Sequence, residues 1–222
     1  MTRNVLVVAP HPDDESLGVG GTIAKYADQG DHVFVLMVSG HLPPLYPAGS
    51  FETTEREARE AFRLLGVSNS AFLKIPATLV GTEPVAQLNR RISSVIEELE
   101  PEVVFCPFPD RHVDHRVIFE ATMVATRPVG AGRGIRMLAA YETLSETHWN
   151  APHIEPVFVP TWVNDITATV DKKLAALRCY ASQIPACPGA RSIEAVEALA
   201  RFRGTQAGFA YGEAFSVIRM VS

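Results

Sequence analysis

Three uninterrupted runs of apolar residues constrain the fold of this chain most: Val5–Ala9, Val33–Val38 and Val103–Cys106. Strands that are apolar at every position are typical of a parallel sheet covered on both faces, whereas half-exposed strands alternate. A helical pattern over Leu17–Gln29 joins the first two runs. Such a strand–helix–strand unit is right-handed in almost all proteins. The sequence therefore predicts a parallel sheet that begins within the first 38 residues.

The rest of the chain continues the alternation of strands and helices, without an internal repeat, a low-complexity tract or a linker. Further strands are predicted at 71–75, 137–141 and 214–220, with an extended segment at 157–166, and further helices at 54–65, 83–99, 114–125, 171–182 and 191–203. We therefore expect one domain over residues 1–222 with an α/β fold, a Rossmann-like, mostly parallel sheet with helices on both faces. Ligands of such sheets bind at the carboxyl ends of the strands.

Two clusters of histidine and aspartate follow predicted strands at this edge. Pro10-His-Pro-Asp-Asp-Glu15 follows the first strand, and Pro107 to His115 follows the strand at 103–106, so we expect the clusters to converge. Together they offer the following side chains: His11, Asp13, Asp14, His112, Asp114 and His115. Two histidines and one carboxylate form a known catalytic zinc set that leaves a position open for water. The spacing predicts a metal-assisted hydrolase but does not assign a role to each residue.

Glycines at 18, 20 and 21 also follow the first strand and raise the alternative of a dinucleotide site. Their spacing is not GxGxxG, and the acidic segment before them would repel a pyrophosphate. We expect these glycines to permit close packing of the helix on the sheet.

Charge and composition exclude several classes of function. The net charge of −5 gives no basic footprint for nucleic acid. No apolar run approaches the roughly 20 residues of a membrane span, and the N-terminus lacks the pattern of a signal peptide. Three cysteines, Cys106, Cys179 and Cys187, form no CxxC pair, and we expect reduced thiols in a cytoplasmic protein.

The two clusters resemble the motifs of a known family. Ala9-Pro-His-Pro-Asp-Asp-Glu15, followed by Gly20-Gly-Thr22, is similar to the first motif of the LmbE/PIG-L-like zinc-dependent de-N-acetylases, which act on N-acetylglucosaminyl groups. Asp110-Arg-His-Val-Asp-His115 resembles their second motif, with Val113 where proline is usual. Looser likeness extends to Leu65-Gly-Val67, to residues 173–183 and to Tyr211-Gly-Glu-Ala-Phe215.

This resemblance implies roles for individual residues. One Zn²⁺ per chain, or another divalent metal, is expected on His11, Asp14 and His115. The resemblance makes Asp13 the general base, His112 the proton donor or oxyanion stabiliser, and Asp114 a carboxylate that orients a neighbouring histidine.

The function implied is hydrolysis of an N-acetylglucosamine-type small molecule to acetate and a free amine. One alternative is an amidase of a different amide, such as a thiol conjugate or an amino-sugar antibiotic intermediate. Another is a metal-binding module without turnover, although binding alone needs neither Asp13 nor His112. A homo-oligomer is compatible with the sequence.

Residues around the two motifs leave alternatives open. Arg111 is expected to contact a sugar oxygen or phosphate of the substrate, or to form a salt bridge with Asp110 or Glu120. The loop at 39–51 offers His41 and Tyr46 as substrate contacts or as plain loop residues, and the loop at 142–156, with His148 and His153, is a candidate lid or unremarkable surface. Glu15 is either a partner of the site residues or a charge favoured by the helix N-terminus.

Overall fold

A computed structural model describes residues 2–222, so only Met1 of the predicted domain lies outside it. Seven strands form a single sheet in the order β3-β2-β1-β4-β5-β7-β6. Neighbours from β3 to β5 pair in parallel, and β7 pairs antiparallel with both β5 and β6. The predicted α/β class is therefore confirmed, and the strand order reverses between β1 and β4.

The elements have the following bounds. The strands are β1 Asn4–Ala9, β2 His32–Gly40, β3 Asn69–Pro76, β4 Val103–Pro107, β5 Met137–Tyr141, β6 Trp162–Asp165 and β7 Gly212–Met220. The helices are α1 Asp14–Asp28, α2 Ser50–Leu65, α3 Val85–Leu99, α4 Val113–Ala125, α5 Val170–Cys179 and α6 Ile193–Gln206. Short 3₁₀ turns lie at Val80–Thr82 and Gly130–Gly134.

Helices α1 and α2 begin earlier than predicted. Helix α1 begins at Asp14 and not at Leu17, because Asp13 takes the N-cap position and draws the acidic segment into the first turn. Helix α2 begins at Ser50 after Gly49, so the prediction of a threonine cap at Thr53 or Thr54 is wrong. Gly66 ends α2 in the left-handed conformation (φ 76°), as predicted.

Helices cover both faces of the sheet. On one face α1, α2 and α5 pack against alternate residues of β1, including Val5 and Val7. On the other face α3 and α4 pack against Leu6 and Val8. Because successive side chains of a strand point to opposite faces, a strand covered in this way is apolar throughout. This explains the unbroken runs in the sequence.

Helix α1 packs unusually close to its neighbours. A Cβ atom on Gly18 would lie 2.2 Å from the ring of Tyr141, and one on Gly21 would lie 2.7 Å from Ile166. The predicted close packing on the sheet is confirmed for Gly18, whereas Gly20 approaches Lys173 of α5 and Gly21 approaches Ile166 just after β6. Their close contact fixes the height of α1 above the sheet and hence the position of the turn that precedes it.

A buried ion pair also holds α1. The Lys173 ammonium of α5 lies 2.5 Å from the Glu213 carboxylate of β7, and both side chains are 3% exposed. Lys173 donates to the Leu17 carbonyl oxygen, and Glu213 accepts the backbone N–H groups of Gly21 and Thr22. The pair therefore joins three elements through the backbone of α1. No helix within residues 2–222 is both long enough and apolar enough to cross a membrane.

Alanine at Gly18 tests the close approach of α1. We expect Gly18→Ala to lower the free energy of unfolding by about 1–3 kcal/mol, because the added methyl group meets a buried ring and the Glu142 carbonyl oxygen. Gly134→Ala is the matched control, since a Cβ there meets nothing within 4 Å. Urea denaturation measures both, and equal stability of the two variants would contradict the packing argument.

Candidate metal centre

The turn after β1 carries the first group of polar side chains. The Pro10 carbonyl oxygen accepts the Ser39 N–H at 2.8 Å, which fixes this turn beside the end of β2. The Asp14 N–H donates to the His11 carbonyl oxygen at 3.1 Å, and the Asp14 carboxylate accepts the His11 N–H at 3.0 Å. These bonds turn the His11 ring and the Asp14 carboxylate towards each other.

The segment after β4 carries the second group. Asp110 accepts the backbone N–H of His112 at 3.0 Å. His112 is the N-cap of α4, and its Nδ1 atom accepts the Asp114 N–H at 3.1 Å. Because β4 is the neighbour of β1, the two groups lie together, and the ring centroids of His11 and His115 are 5.6 Å apart. The predicted convergence of the two turns is confirmed.

One oxygen atom lies at the centre of the cluster. Asp14 Oδ2 is 3.1 Å from His11 Nδ1 and 3.3 Å from His115 Nε2. The other nitrogen of each ring contacts a different carboxylate: His11 Nε2 lies 2.9 Å from Asp114 Oδ2, and His115 Nδ1 lies 3.1 Å from Asp110. Each imidazole is thus held on its far side, which leaves one nitrogen directed at Asp14.

The two outer carboxylates are themselves held in place. Asp114 Oδ2 accepts the backbone N–H of Thr78 at 2.7 Å. Asp110 Oδ2 accepts the Thr147 hydroxyl at 2.8 Å, so the loop after β5 also reaches the cluster. Asp110 was given no site role by sequence reasoning, although it lies in the second motif five residues before His115.

The neighbouring carboxylates affect how strongly the imidazole rings hold their protons. Burial opposes a charge on His115, but the Asp14 carboxylate and the hydrogen bond with Asp110 outweigh it and raise the pKa of His115 to about 10. Burial likewise opposes ionisation of Asp14, yet the His115 charge and the hydrogen bond with the His11 ring hold the pKa of Asp14 well below its usual range. The field at this point favours a cation.

His112 is the exception among the three rings. Burial and the nearby His11 and His115 lower the pKa of His112 to about 4, so this ring is neutral. Its Nδ1 atom accepts a backbone N–H, so the neutral ring carries its proton on Nε2. His112 is therefore a hydrogen-bond donor.

The donor atoms fit a divalent metal ion. Nitrogen atoms of His11, His112 and His115 lie within 4.8 Å of one another. Within residues 2–222, four buried atoms at or beside the centre have no hydrogen-bond partner: His115 Nε2, Asp14 Oδ1, Asp114 Oδ1 and Asp13 Oδ1. Two imidazole nitrogens and a carboxylate are one donor set that catalytic metal sites use.

Asp13 lies beside this centre, and its carboxylate is held by an arginine and not by a histidine. Its carboxylate is 1% exposed, and Oδ2 accepts from Arg191 Nη1 at 3.0 Å, while Oδ1 has no partner within residues 2–222. Burial raises the pKa of Asp13 to about 8 in spite of the Arg191 charge. A cation held next to Asp13 favours its carboxylate form.

Arg191 was missed by sequence reasoning. It precedes α6 and is 178 positions from Asp13, and no local pattern marks it. Arg111 is 47% exposed and contacts Glu146 at 3.3 Å, and not Asp110 or Glu120 as considered from the sequence. Arg191 also contacts Glu146, at 3.3 Å. The loop after β5 thus links both arginines at the rim of the site.

His41 and Tyr46 of the loop after β2 contact each other. Their ring centroids are 4.2 Å apart in an edge-to-face arrangement. His41 is 6% exposed, and burial lowers its pKa to about 4.

Fold and site together define a class of protein: a doubly wound α/β domain with a buried His/Asp centre of the kind that holds a catalytic metal ion.

Comparison with known proteins gives the family. Residues 6–126 match the family model PIG-L, described as GlcNAc-PI de-N-acetylase. The probable N-acetyl-alpha-D-glucosaminyl L-malate deacetylase 2 of Bacillus anthracis is 30% identical over 82% of this chain and 81% of its own length. The chain belongs to the PIG-L family of de-N-acetylases.

Solved structures share the fold. The conserved protein TT1542 from Thermus thermophilus is 28% identical, with a TM-score of 0.78 over 100% of this chain and 97% of its own. GalB, the 4-carboxy-2-hydroxymuconate hydratase from Pseudomonas putida, has a TM-score of 0.81 over 100% of this chain and 99% of its own at 20% identity. The likeness to GalB concerns the fold alone, so function has to be argued from the site.

Metal loading tests the fit of the centre. We expect Zn²⁺ added to chelator-treated protein to raise Tm by roughly 5–10 °C at a hundredfold excess over Kd, because binding to the folded state alone stabilises it. His115→Ala should abolish this shift, whereas His32→Ala, an exposed histidine at the start of β2, should keep it. Differential scanning fluorimetry and metal analysis measure the effect. A full shift in His115→Ala would contradict the assignment of this centre.

Proposed function

We propose that this protein is a zinc-dependent hydrolase that removes the acetyl group from an N-acetylglucosamine-type small molecule. Membership of the de-N-acetylase family supports the reaction, and the match to a deacetylase named for an N-acetyl-glucosaminyl substrate supports the amino sugar. The single observation that carries the proposal is the convergence of His11 Nδ1 and His115 Nε2 on Asp14 Oδ2.

We assign the metal to His11, Asp14 and His115. Asp114 and Asp110 bind the far nitrogens of the two histidines, an arrangement that fixes ring orientation and raises the basicity of the ligating nitrogen. When bound, a divalent ion lowers the pKa of water and polarises a carbonyl oxygen. Zn²⁺ suits this donor set, although another divalent metal would find the same ligands.

Asp13 is assigned as the general base. Arg191 holds Oδ2, so the unpartnered Oδ1 is the atom that takes a proton from the attacking water. The water oxygen then bonds to the amide carbon, and the carbonyl oxygen gains negative charge.

His112 is assigned to the developing negative charge. Its Nε2–H donates a hydrogen bond to the oxyanion, and the capping bond at Nδ1 keeps the ring in the required tautomer. The carbon–nitrogen bond then breaks, and the nitrogen takes up the proton that left the water. The products are acetate and the free amine.

We assign recognition of the carrier attached to the sugar to residues at the rim of the site. Arg111 is half-exposed there, and its guanidinium is our candidate for contact with a sugar oxygen or an anionic group on the carrier. A cytoplasmic location is supported by free thiols at all three cysteines. A homo-oligomer stays a prediction.

A panel of N-acylated compounds tests the reaction. We expect acetate and free amine in equal amounts from N-acetylglucosaminyl compounds that differ in carrier, with zinc measured on the same sample. Release of a different acyl group in preference to acetate would favour the amidase of another amide. No acetate from any member, with zinc loaded, would contradict the proposal and favour a binding module.

Asp13→Asn tests the general base. Asparagine keeps the shape of the side chain but takes up no proton, so we expect kcat to fall by about 10²–10⁴-fold with zinc content unchanged. Asp28→Asn at the exposed end of α1 is the control and should keep full activity. Substantial turnover in Asp13→Asn, or loss of its zinc, would show that the role belongs to another group.

A further inference from the structure

The backbone of Asp13 has an unfavourable conformation. Its φ of 118° and ψ of −29° lie in the positive-φ half of backbone conformational space, which residues other than glycine rarely adopt. A residue in this conformation is strained and persists only where its surroundings hold it. The contacts of the Asp13 backbone therefore decide where its carboxylate points.

Glu15 makes one of these contacts. Its side chain is fully buried, and Oε2 accepts the Asp13 N–H at 3.3 Å. The other oxygen, Oε1, accepts the hydroxyl groups of Ser16 and Tyr180, both at 2.6 Å. In all three hydrogen bonds the Glu15 carboxylate is the acceptor. The two hydroxyl groups orient it, and its remaining oxygen faces the Asp13 N–H.

Tyr180 anchors this arrangement from α5. Its ring is fully buried at the end of that helix, which Lys173 joins to the Leu17 carbonyl oxygen of α1. The Tyr180 carbonyl oxygen accepts the N–H groups of Gln183 and Ile184, so the chain that leaves α5 is fixed at the same residue.

The same stretch of chain leads to Arg191, whose guanidinium holds the Asp13 carboxylate at 3.0 Å. Asp13 is thus held at both ends by the α5–α6 connection. Tyr180 acts on its backbone through Glu15, and Arg191 acts on its side chain.

We propose that Glu15 and Tyr180 are positioning residues, which fix the left-handed backbone of Asp13 and so aim its carboxylate at the reacting water. This inference rests on the proposed function. Neither residue contacts the substrate, and both act through Asp13. Misplacement of a catalytic group by about 1 Å costs on the order of a hundredfold in rate, so a backbone that relaxes here lowers turnover without removing a ligand.

Two conservative variants test the proposal. Tyr180→Phe removes only the hydroxyl group that orients Glu15. Glu15→Gln keeps the shape, but its single amide oxygen can accept either the Asp13 N–H or the two hydroxyl groups, and not both. We expect each to lower kcat by about tenfold to a hundredfold, with KM and zinc content unchanged.

Tyr141→Phe is the matched control. Tyr141 is also fully buried, and its hydroxyl group donates to the Val8 carbonyl oxygen at 2.9 Å. Its loss should lower Tm as the loss of any buried hydrogen bond does, but should leave kcat unchanged.

The outcomes separate the inference from the proposed function. Acetate release by the wild-type protein decides the function first, and without it the positioning role fails as well. With active wild-type protein, a lower Tm but unchanged kcat per zinc-loaded molecule in Tyr180→Phe and Glu15→Gln would reduce both residues to a structural role and overturn the inference. Loss of zinc in either variant would also overturn the inference, because it would show that Glu15 and Tyr180 act on the metal ligand Asp14 and not on Asp13. A crystal structure of Glu15→Gln gives a readout apart from activity, and there we expect Asp13 to leave the left-handed region.

Discussion

The convergence of two imidazole nitrogens on one oxygen of Asp14 is the interaction on which the rest of the structure depends. His11 and Asp14 come from the turn after β1, and His115 comes from the first turn of α4. They meet because β1 and β4 are neighbours at the reversal of strand order, where an open α/β sheet forms its crevice. The outer contacts with Asp110 and Asp114 then fix both rings.

This arrangement places negative charge where burial disfavours it. Asp13, Asp14, Glu15, Asp110 and Asp114 are all at most 1% exposed. Isolated buried carboxylates are costly, and the fold offsets the cost with backbone N–H groups, imidazoles, hydroxyl groups and the Arg191 guanidinium. A divalent cation bound among these groups would balance the remaining charge. The site is therefore formed at the expense of stability, as is common where catalytic groups are held close together.

Much of this molecule follows from its sequence. The unbroken apolar runs predict a sheet covered on both faces, and the polar residues at two strand ends predict a common site. The glycines of α1 predict close packing, which Gly18 and Tyr141 bear out.

Other parts of the fold and the site do not follow from the sequence, for physical reasons. Arg191 reaches Asp13 through the tertiary course of the α5–α6 connection, and no period or spacing encodes that path. The partner of Arg111 is Glu146, because a long loop folds back over the rim. The observed starts of α1 and α2 differ from the predicted ones by several residues. Caps such as Asp13 and Gly49 depend on backbone conformations that local propensity does not specify.

The absence of side chains at Gly18 and Gly21 has a consequence for how such a protein diversifies. Contact of the bare backbone with the Tyr141 ring at Gly18 and with Ile166 at Gly21 sets the distance of α1 from its neighbours and hence the position of the turn before it. His41, Tyr46 and Glu146, in the segments that follow β2 and β5, take no part in this contact. Exchange of such rim residues therefore changes the surroundings of the site and leaves the position of α1 unaltered.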